Sequence, residues 1–308
     1  MPSGYEALRH SASLLDLSPR GRILARGRDR SRLLHNLTSN EVKKLTPGSA
    51  VYAFLLSPQG RIQADLYLLC FPDHFLIDTE PELREKVLQH IKRYIIADQV
   101  ELEDVTSATA CIGVEGPGAA AILAQIGAPV PGDYAFAAWG ENTVAGITQT
   151  GQPGARIYCG AAESDAIVAK LQAAGAQPAS AEDALIVRIE NGKPRYGEDI
   201  HEKSLPQETQ QMHAVSFTKG CYLGQEIVER IRAQGHVNKK LVRLEIDGTE
   251  PPPPGTKAVV NSAEVGEITS AVYSPQSGAI AALAYLRTQF AAPGTNVLVA
   301  EREARVLG

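Results

Sequence analysis

The hydrophobic periodicity of the chain changes at Asn238. Beyond it, short stretches at 241–246, 257–260, 265–269, 279–285 and 296–300 alternate apolar and polar residues, punctuated by Pro251 to Pro254 and several glycines. A period of two puts successive side chains on opposite faces of a strand. Several such strands in a row, with proline and glycine at the turns, predict a β-barrel or sandwich. This segment holds no histidine and no cysteine, so chemistry is expected to come from the residues ahead of it.

Those residues mix helical and strand patterns. Leu33, Leu34, Leu37 and Val42 follow helical spacing and predict a helix near 29–44. Residues 64–71 and 75–78 read as a hairpin around Pro72-Asp73. An amphipathic helix follows, with Thr79 as its expected N-cap, Pro81 in the first turn and Leu83, Val87, Leu88, Ile91 and Ile95 on one face. With a further strand near 99–105, this makes a small sheet-plus-helix unit inserted in a larger domain. Ala110, Ile112 and Val114 alternate as a strand that runs through Glu115-Gly116-Pro117-Gly118 into a helix with Ile122, Leu123 and Ile126. The turn lacks a full G-x-G-x-x-G and reads as a packing turn rather than a phosphate loop. Further helices are predicted over 164–171 and from Ser180, an N-cap with Asp183 three positions on as a weaker form of the capping box, to the stop at Asn191-Gly192.

A length of 308 residues suits two or three domains, and 44% apolar with 21% charged residues is the balance of a folded globular chain. A net charge of -5 argues against direct nucleic-acid binding as a general role. Apolar runs fall short of the ~20 residues a membrane span needs, and Glu6 and Asp16 in the opening stretch do not suit a signal peptide. A cytoplasmic setting is expected, or an organellar matrix if the source is eukaryotic. Cys70, Cys111, Cys159 and Cys221 form no C-x-x-C pair, so no metal site is predicted with certainty and a reducing compartment is the simplest setting. The first three lie in apolar runs and read as buried hydrophobes.

Cys221 differs from them. Residues 214–217 read as an apolar strand that delivers Lys219-Gly220-Cys221-Tyr222-Leu223-Gly224-Gln225-Glu226, with a short helix beginning near Gly224 and Ile227, Val228 and Ile231 facing inward. A thiol ahead of a helix N-terminus and two residues from a lysine is expected to favour the thiolate. Glu190 is the other anomaly, a carboxylate in the last turn of its helix, where the macrodipole disfavours it. Either an arginine such as Arg188 pairs with it, or a ligand supplies donors, or it is a solvated surface glutamate. Asp65 and Asp199 read individually as turn or surface carboxylates. The arginines at 20, 22, 26, 28, 30 and 32 read as a solvated cationic face, without the interleaved aromatics that would stack bases.

The segment KGCYLGQEIVER at 219–230 resembles the signature of the YgfZ-type folate-binding proteins linked to iron–sulfur cluster maturation, relatives of the glycine-cleavage T-protein. LLHNLTSNEV (33–42), SPQGRIQADLYLL (57–69), GVEGPGAAAIL (113–123), RIENGKPRYGEDI (188–200) and GEITSAVYSP (266–275) are similar to segments of the same superfamily, in the same order. The resemblance implies an α+β fold of three domains in a ring. Its parts would be a split folate-binding domain (1–50 and 108–240), a ferredoxin-like insert (51–107) and a C-terminal β-barrel (241–308). It implies tetrahydrofolate or a derivative as cofactor, held by Glu190, Arg188, Tyr196 and Arg230. Cys221, Lys219 and Asp65 would carry chemistry, with Gly220, Tyr222, Gly224, Gln225 and Glu226 as motif positions. The expected partners are iron–sulfur assembly proteins or client enzymes, not a membrane. A folate-dependent aminomethyl or methyl transferase is the alternative. Against it, the R-T-G-Y-T-G-E pattern of the T-protein reads Gln149-Thr150-Gly151-Gln152-Pro153-Gly154-Ala155 here.

Overall fold

A computed structural model describes residues 4–307. Its architecture is mixed α/β with three sheets, one of them closed. The alternating C-terminal segment becomes six antiparallel strands ordered Lys239–Ile246, Ala279–Arg287, Ala263–Ser274, Lys257–Val260, Asn296–Val299 and Arg302–Val306, the last pairing with the first. Inward residues such as Leu244, Ile246, Ile268, Ile280, Leu286, Val297 and Val306 fill the interior. Closure leaves no strand edge to be covered.

The other two sheets pack against each other. A six-stranded sheet runs Gln177–Pro178, Ser13–Asp16, Thr109–Glu115, Gly154–Gly160, Asn142–Ala145 and Phe136–Trp139. One of its faces, with Ile112, Val114 and Ile157, is covered by Leu123 of the helix Ala119–Gln125 and by Ile167 and Leu171 of the helix Ser164–Ala173. Leu15, Cys111, Ala145 and Tyr158 of the same sheet share a core with the five-stranded sheet. That sheet runs Ser49–Leu56, Ile62–Cys70, His74–Thr79, Gly21–Arg26 and Glu101–Asp104. It reaches beyond 51–107, because Gly21–Arg26 pairs with both His74–Thr79 and Glu101–Asp104.

Several local expectations change. The first predicted helix spans only Arg30–Leu37. Beyond it the chain turns extended, since Ser39 takes up backbone bonds with Phe54 and Ser216 instead of continuing the helical ladder. Thr79 is not an N-cap: it ends a strand, its hydroxyl donates to Asp65 O at 2.8 Å, and Arg84–Arg93 follows a 3-10 turn at Pro81–Leu83. Residues 214–217 are not a strand; a 3-10 turn at Met212–Ala214 leads into irregular chain. In the helix Gln225–Gln234 only Val228 is buried, with Ile227 and Ile231 half-buried.

Other expectations match. The hairpin forms as Ile62–Cys70 and His74–Thr79, and Ser180 with Asp183 forms the full capping box on Ala181–Glu190. The turn at 115–118 is a packing turn: Gly118 N donates to Ser11 O at 2.7 Å, and a Cβ at Gly116 (φ +126°) would lie 2.5 Å from the same oxygen. Cys70, Cys111 and Cys159 are buried and Cys221 is exposed. Among the described residues no helix is long and apolar enough to cross a membrane.

Candidate functional site

The strand Ile62–Cys70 is apolar along nearly its whole length, and Asp65 interrupts it. Asp65 and Tyr67, two apart, share a face, and the register sets Tyr67 opposite Tyr52 of Ser49–Leu56. The two tyrosine rings lie 4.9 Å apart, and His213 stacks on Tyr52 at 5.4 Å. Together they line a cavity of about 310 Å³ that also takes in Glu80, Tyr134, Gln149, Arg156, Arg188, Lys193, Arg195 and Gln211. Tyr134 sits at φ +57°, a conformation that costs a non-glycine residue about 1–2 kcal/mol. A second hollow of about 370 Å³, walled by Gly151 to Gly154, Asp133 and Thr148, shares Tyr67, Tyr134 and Lys193 with the first.

Asp65 is the reactive-looking group of this cavity. Its Oδ2 accepts from the Tyr52 hydroxyl at 2.8 Å, while its buried Oδ1 has no hydrogen-bond partner among the described residues. Burial first, then the charge of Glu80, push its pKa up to about 6, against the pull of the Tyr52 hydroxyl and Arg20. A carboxyl poised there can give or take a proton near neutral pH.

Below it lies a buried ionic floor. Asp78 accepts from Arg20 (2.6 Å), Arg156 (2.9 Å) and the Tyr158 hydroxyl (2.6 Å), joining the two open sheets. Burial opposes the Asp78 charge, yet Arg20 and Arg156 hold its pKa down at about 2. Glu80 accepts from Arg20 and from Arg195 (2.9 Å); these arginines outweigh its burial and keep it below the usual carboxylate range. Burial lowers Lys193 to about 8 and, with Lys193 nearby, lowers His213 as well.

Residues 3–219 match the GCVT N-terminal domain and residues 239–307 the glycine cleavage T-protein C-terminal barrel domain. The chain belongs to the glycine cleavage T-protein family. It is 31% identical over 306 residues to an aminomethyltransferase of Rubrobacter xylanophilus, covering 97% of this chain and 82% of that one. It is 25% identical to a putative chloroplastic transferase of Arabidopsis thaliana, covering 96% of this chain and 70% of that one. The fold superimposes on the glycine cleavage system aminomethyltransferase T of Bartonella henselae with a TM-score of 0.91 at 19% identity, over 99% of this chain and 87% of that one.

Within this T-protein frame the sequence-predicted residues divide. Asp65 and Arg188 line the cavity. Neither Asp65 nor Asp199 is a surface carboxylate; both are buried. Arg188 does not pair with Glu190 but with Asp199 at 2.7 Å and Glu198, and it also donates to Lys193 O at 2.8 Å. Glu190 is saturated elsewhere, by Arg9, by the Tyr5 hydroxyl at 2.9 Å and by Ser274 at 2.5 Å. Those contacts, not the cavity, account for a carboxylate at that helix end. Tyr196 is buried beside Lys86, and Arg230 borders a separate groove with Gln59, Arg61, Ile227 and Ile231.

Lys219 does not serve Cys221. Its three ammonium hydrogens go to the carbonyls of His35 (2.5 Å), Thr38 (2.7 Å) and Asn40 (2.7 Å), and burial lowers its pKa to about 7. Gly224, at φ +82°, fits against Ser57 O, and the helix starts at Gln225, whose side chain accepts from Tyr222 N at 3.2 Å. The Tyr222 ring is buried, while Gly220, Cys221 and Glu226 are exposed. The expected cationic face is only partly one: Arg20 and Arg22 are buried, Arg28 and Arg32 exposed. Tyr52, Tyr67 and His213 escaped the sequence reading, although Asp65 and Tyr67 as spaced polar breaks in an apolar strand were a usable signal. His213 offered none.

Proposed function

We propose that this chain binds tetrahydrofolate in the Asp65 cavity and uses Asp65 as the acid–base group of a folate-dependent one-carbon transfer. The orphaned Oδ1 of Asp65, buried inside a cavity walled by aromatic rings, carries this reading. A pterin is a flat ring system edged with donors and acceptors. Tyr52, Tyr67 and His213 suit its faces, and Asp65, Gln149, Arg188 and Arg195 suit its edges. Bound tetrahydrofolate supplies the nitrogen that accepts or carries the one-carbon unit. Tyr52 fixes one Asp65 oxygen, which leaves the other to hold or release a proton, and Arg20, Arg156 and Arg195 keep Asp78 and Glu80 ionised beneath it. The names of the aminomethyltransferase relatives support the reaction class.

The test is formation of methylenetetrahydrofolate from an aminomethyl donor, with ammonia released, alongside calorimetry with tetrahydrofolate. Binding with turnover that Asp65→Asn abolishes is the expected result. Binding without turnover on any donor would set the transferase reading aside.

A second reading, support of iron–sulfur cluster assembly or repair through Cys221, has its own observation. Cys221 is the exposed cysteine of the four and lies in 220–238, between the two matched family segments. The absence of the R-T-G-Y-T-G-E pattern at 149–155 also favours it. Cys221→Ser should then fail to restore iron–sulfur enzyme activity in a strain lacking the protein, and full rescue by the serine variant would remove the thiol from the role.

A further inference from the structure

Residues 35–40 touch the Cys221 loop on one side and the Asp65 cavity on the other. On the loop side, Lys219 donates to the carbonyls of His35, Thr38 and Asn40, and Leu223 N donates to Asn36 O at 3.0 Å. Cys221 is thus bracketed, two residues before and two after, by anchors on one short segment. Between the anchors Tyr222 is buried, but the chain just ahead of Cys221 has room: a Cβ placed on Gly220 would meet only the His35 Nε2, at 4.0 Å. On the cavity side, the Asn40 amide donates to Tyr52 O at 2.9 Å and to His213 O at 2.7 Å. Both of its hydrogens therefore go to residues that line the cavity. Ser39 stiffens the same segment, with its hydroxyl bonded to Ala214 O at 2.5 Å and accepting from Phe54 N at 2.9 Å.

We propose that Asn40 is a positioning residue that couples occupancy of the Asp65 cavity to the reactivity of the exposed Cys221 thiol. This rests on the folate reading of the cavity given above. A ring seated against Tyr52 and His213 restrains their backbones. Through the two Asn40 amide bonds that restraint reaches the Asn40 carbonyl, then Lys219, then the loop. Cys221 is exposed, so the restraint acts on the conformers its loop samples and not on burial: a stiffer loop presents the thiol in fewer geometries open to attack, and the rate falls. Tyr52 also binds Asp65 Oδ2 through its hydroxyl, so the residue that orients the acid–base group is the one Asn40 holds.

The experiment reads the rate of Cys221 alkylation by a neutral maleimide on the full chain, with and without saturating tetrahydrofolate, with calorimetry on the same samples. The buried Cys70, Cys111 and Cys159 leave Cys221 as the reporter, and Cys221→Ser serves as the blank. The expected result is slowing by about fivefold or more, the lower range of ordinary coupling, with the slowing lost in Asn40→Ala while binding heat persists. An unchanged wild-type rate despite binding heat would overturn the coupling, as would equal slowing in Asn40→Ala. If the wild type gives no binding heat, the folate reading itself fails and the coupling falls with it. Should Asn40→Ala not fold, exchange of the Leu223 amide in the wild type decides instead: slowing on tetrahydrofolate binding supports the coupling and no change refutes it.

Discussion

Replacing Asp65 with asparagine is expected to stabilise the protein while removing the group on which the proposed chemistry depends. Burial and Glu80 raise the Asp65 pKa from 3.8 to about 6, so at neutral pH the fold confines a charge that the unfolded chain carries in water. An acid with a raised folded pKa adds stability that is complete below its unfolded pKa and is lost as pH rises through the folded one. At about 1.4 kcal/mol per tenfold change in proton affinity, the rise from 3.8 to about 6 corresponds to about 3 kcal/mol of lost stability above pH 7. Asparagine carries no charge and keeps an oxygen for the Tyr52 hydroxyl; its new amide takes the place of the orphaned Oδ1 and offsets part of the gain. Urea denaturation should therefore show Asp65→Asn about 2–3 kcal/mol more stable than wild type near pH 7.5, and nearly equal to it near pH 4. A variant less stable than wild type at the higher pH, or a difference that does not change between the two, would refute the placement of Asp65 as a strained carboxylate.

Asp78→Asn should have the opposite effect. It leaves Arg20 and Arg156 buried without their shared anion and costs about 3 kcal/mol or more. Because the folded pKa of Asp78 lies at about 2, below the ordinary 3.8, its contribution is present above pH 3.8 and is lost as pH falls through about 2. The difference between variant and wild type in acid denaturation should shrink accordingly. Glu190→Gln weakens the Arg9 pair and should cost about 1–2 kcal/mol of stability in urea melts. Its tetrahydrofolate affinity should stay within about twofold of wild type; a calorimetric loss above about 1 kcal/mol would put Glu190 in contact with the ligand after all.

The barrel was readable because period-two alternation is a local signal. The hairpin around Pro72-Asp73 and the capping box at Ser180 were readable for the same reason: each is decided by residues a few positions apart. The cavity was not. The partner of Glu190 is Arg9, 181 positions earlier, and no local pattern announces it. Arg188 could have been excluded on geometry, since residues two apart on a helix point to different sides. Lys219 misled in a related way. Nearness to Cys221 in sequence suggested an electrostatic effect on the thiol, but a buried ammonium goes where three acceptors converge, and those lie on residues 35–40. Read locally, Asp65 passed for a turn or surface carboxylate, and the family resemblance alone marked it for chemistry, because its partner Tyr52 pairs with that strand through a register that the sequence does not print.

Asp199 has a bearing on how the molecule is made. One of its oxygens takes Arg188 and the Arg195 amide, which belong to the cavity wall, and the other takes the hydroxyls of Thr269 and Ser270 in the barrel. During synthesis the two open sheets emerge from the ribosome well before those hydroxyls. Until then Asp199 has partners on one side only, and the wall that carries Arg188 lacks its outer brace. A chain truncated near residue 240 would thus hold every side chain that lines the Asp65 cavity in an enclosure still unsupported from behind, and the brace would arrive only with the barrel strand that carries Thr269 and Ser270.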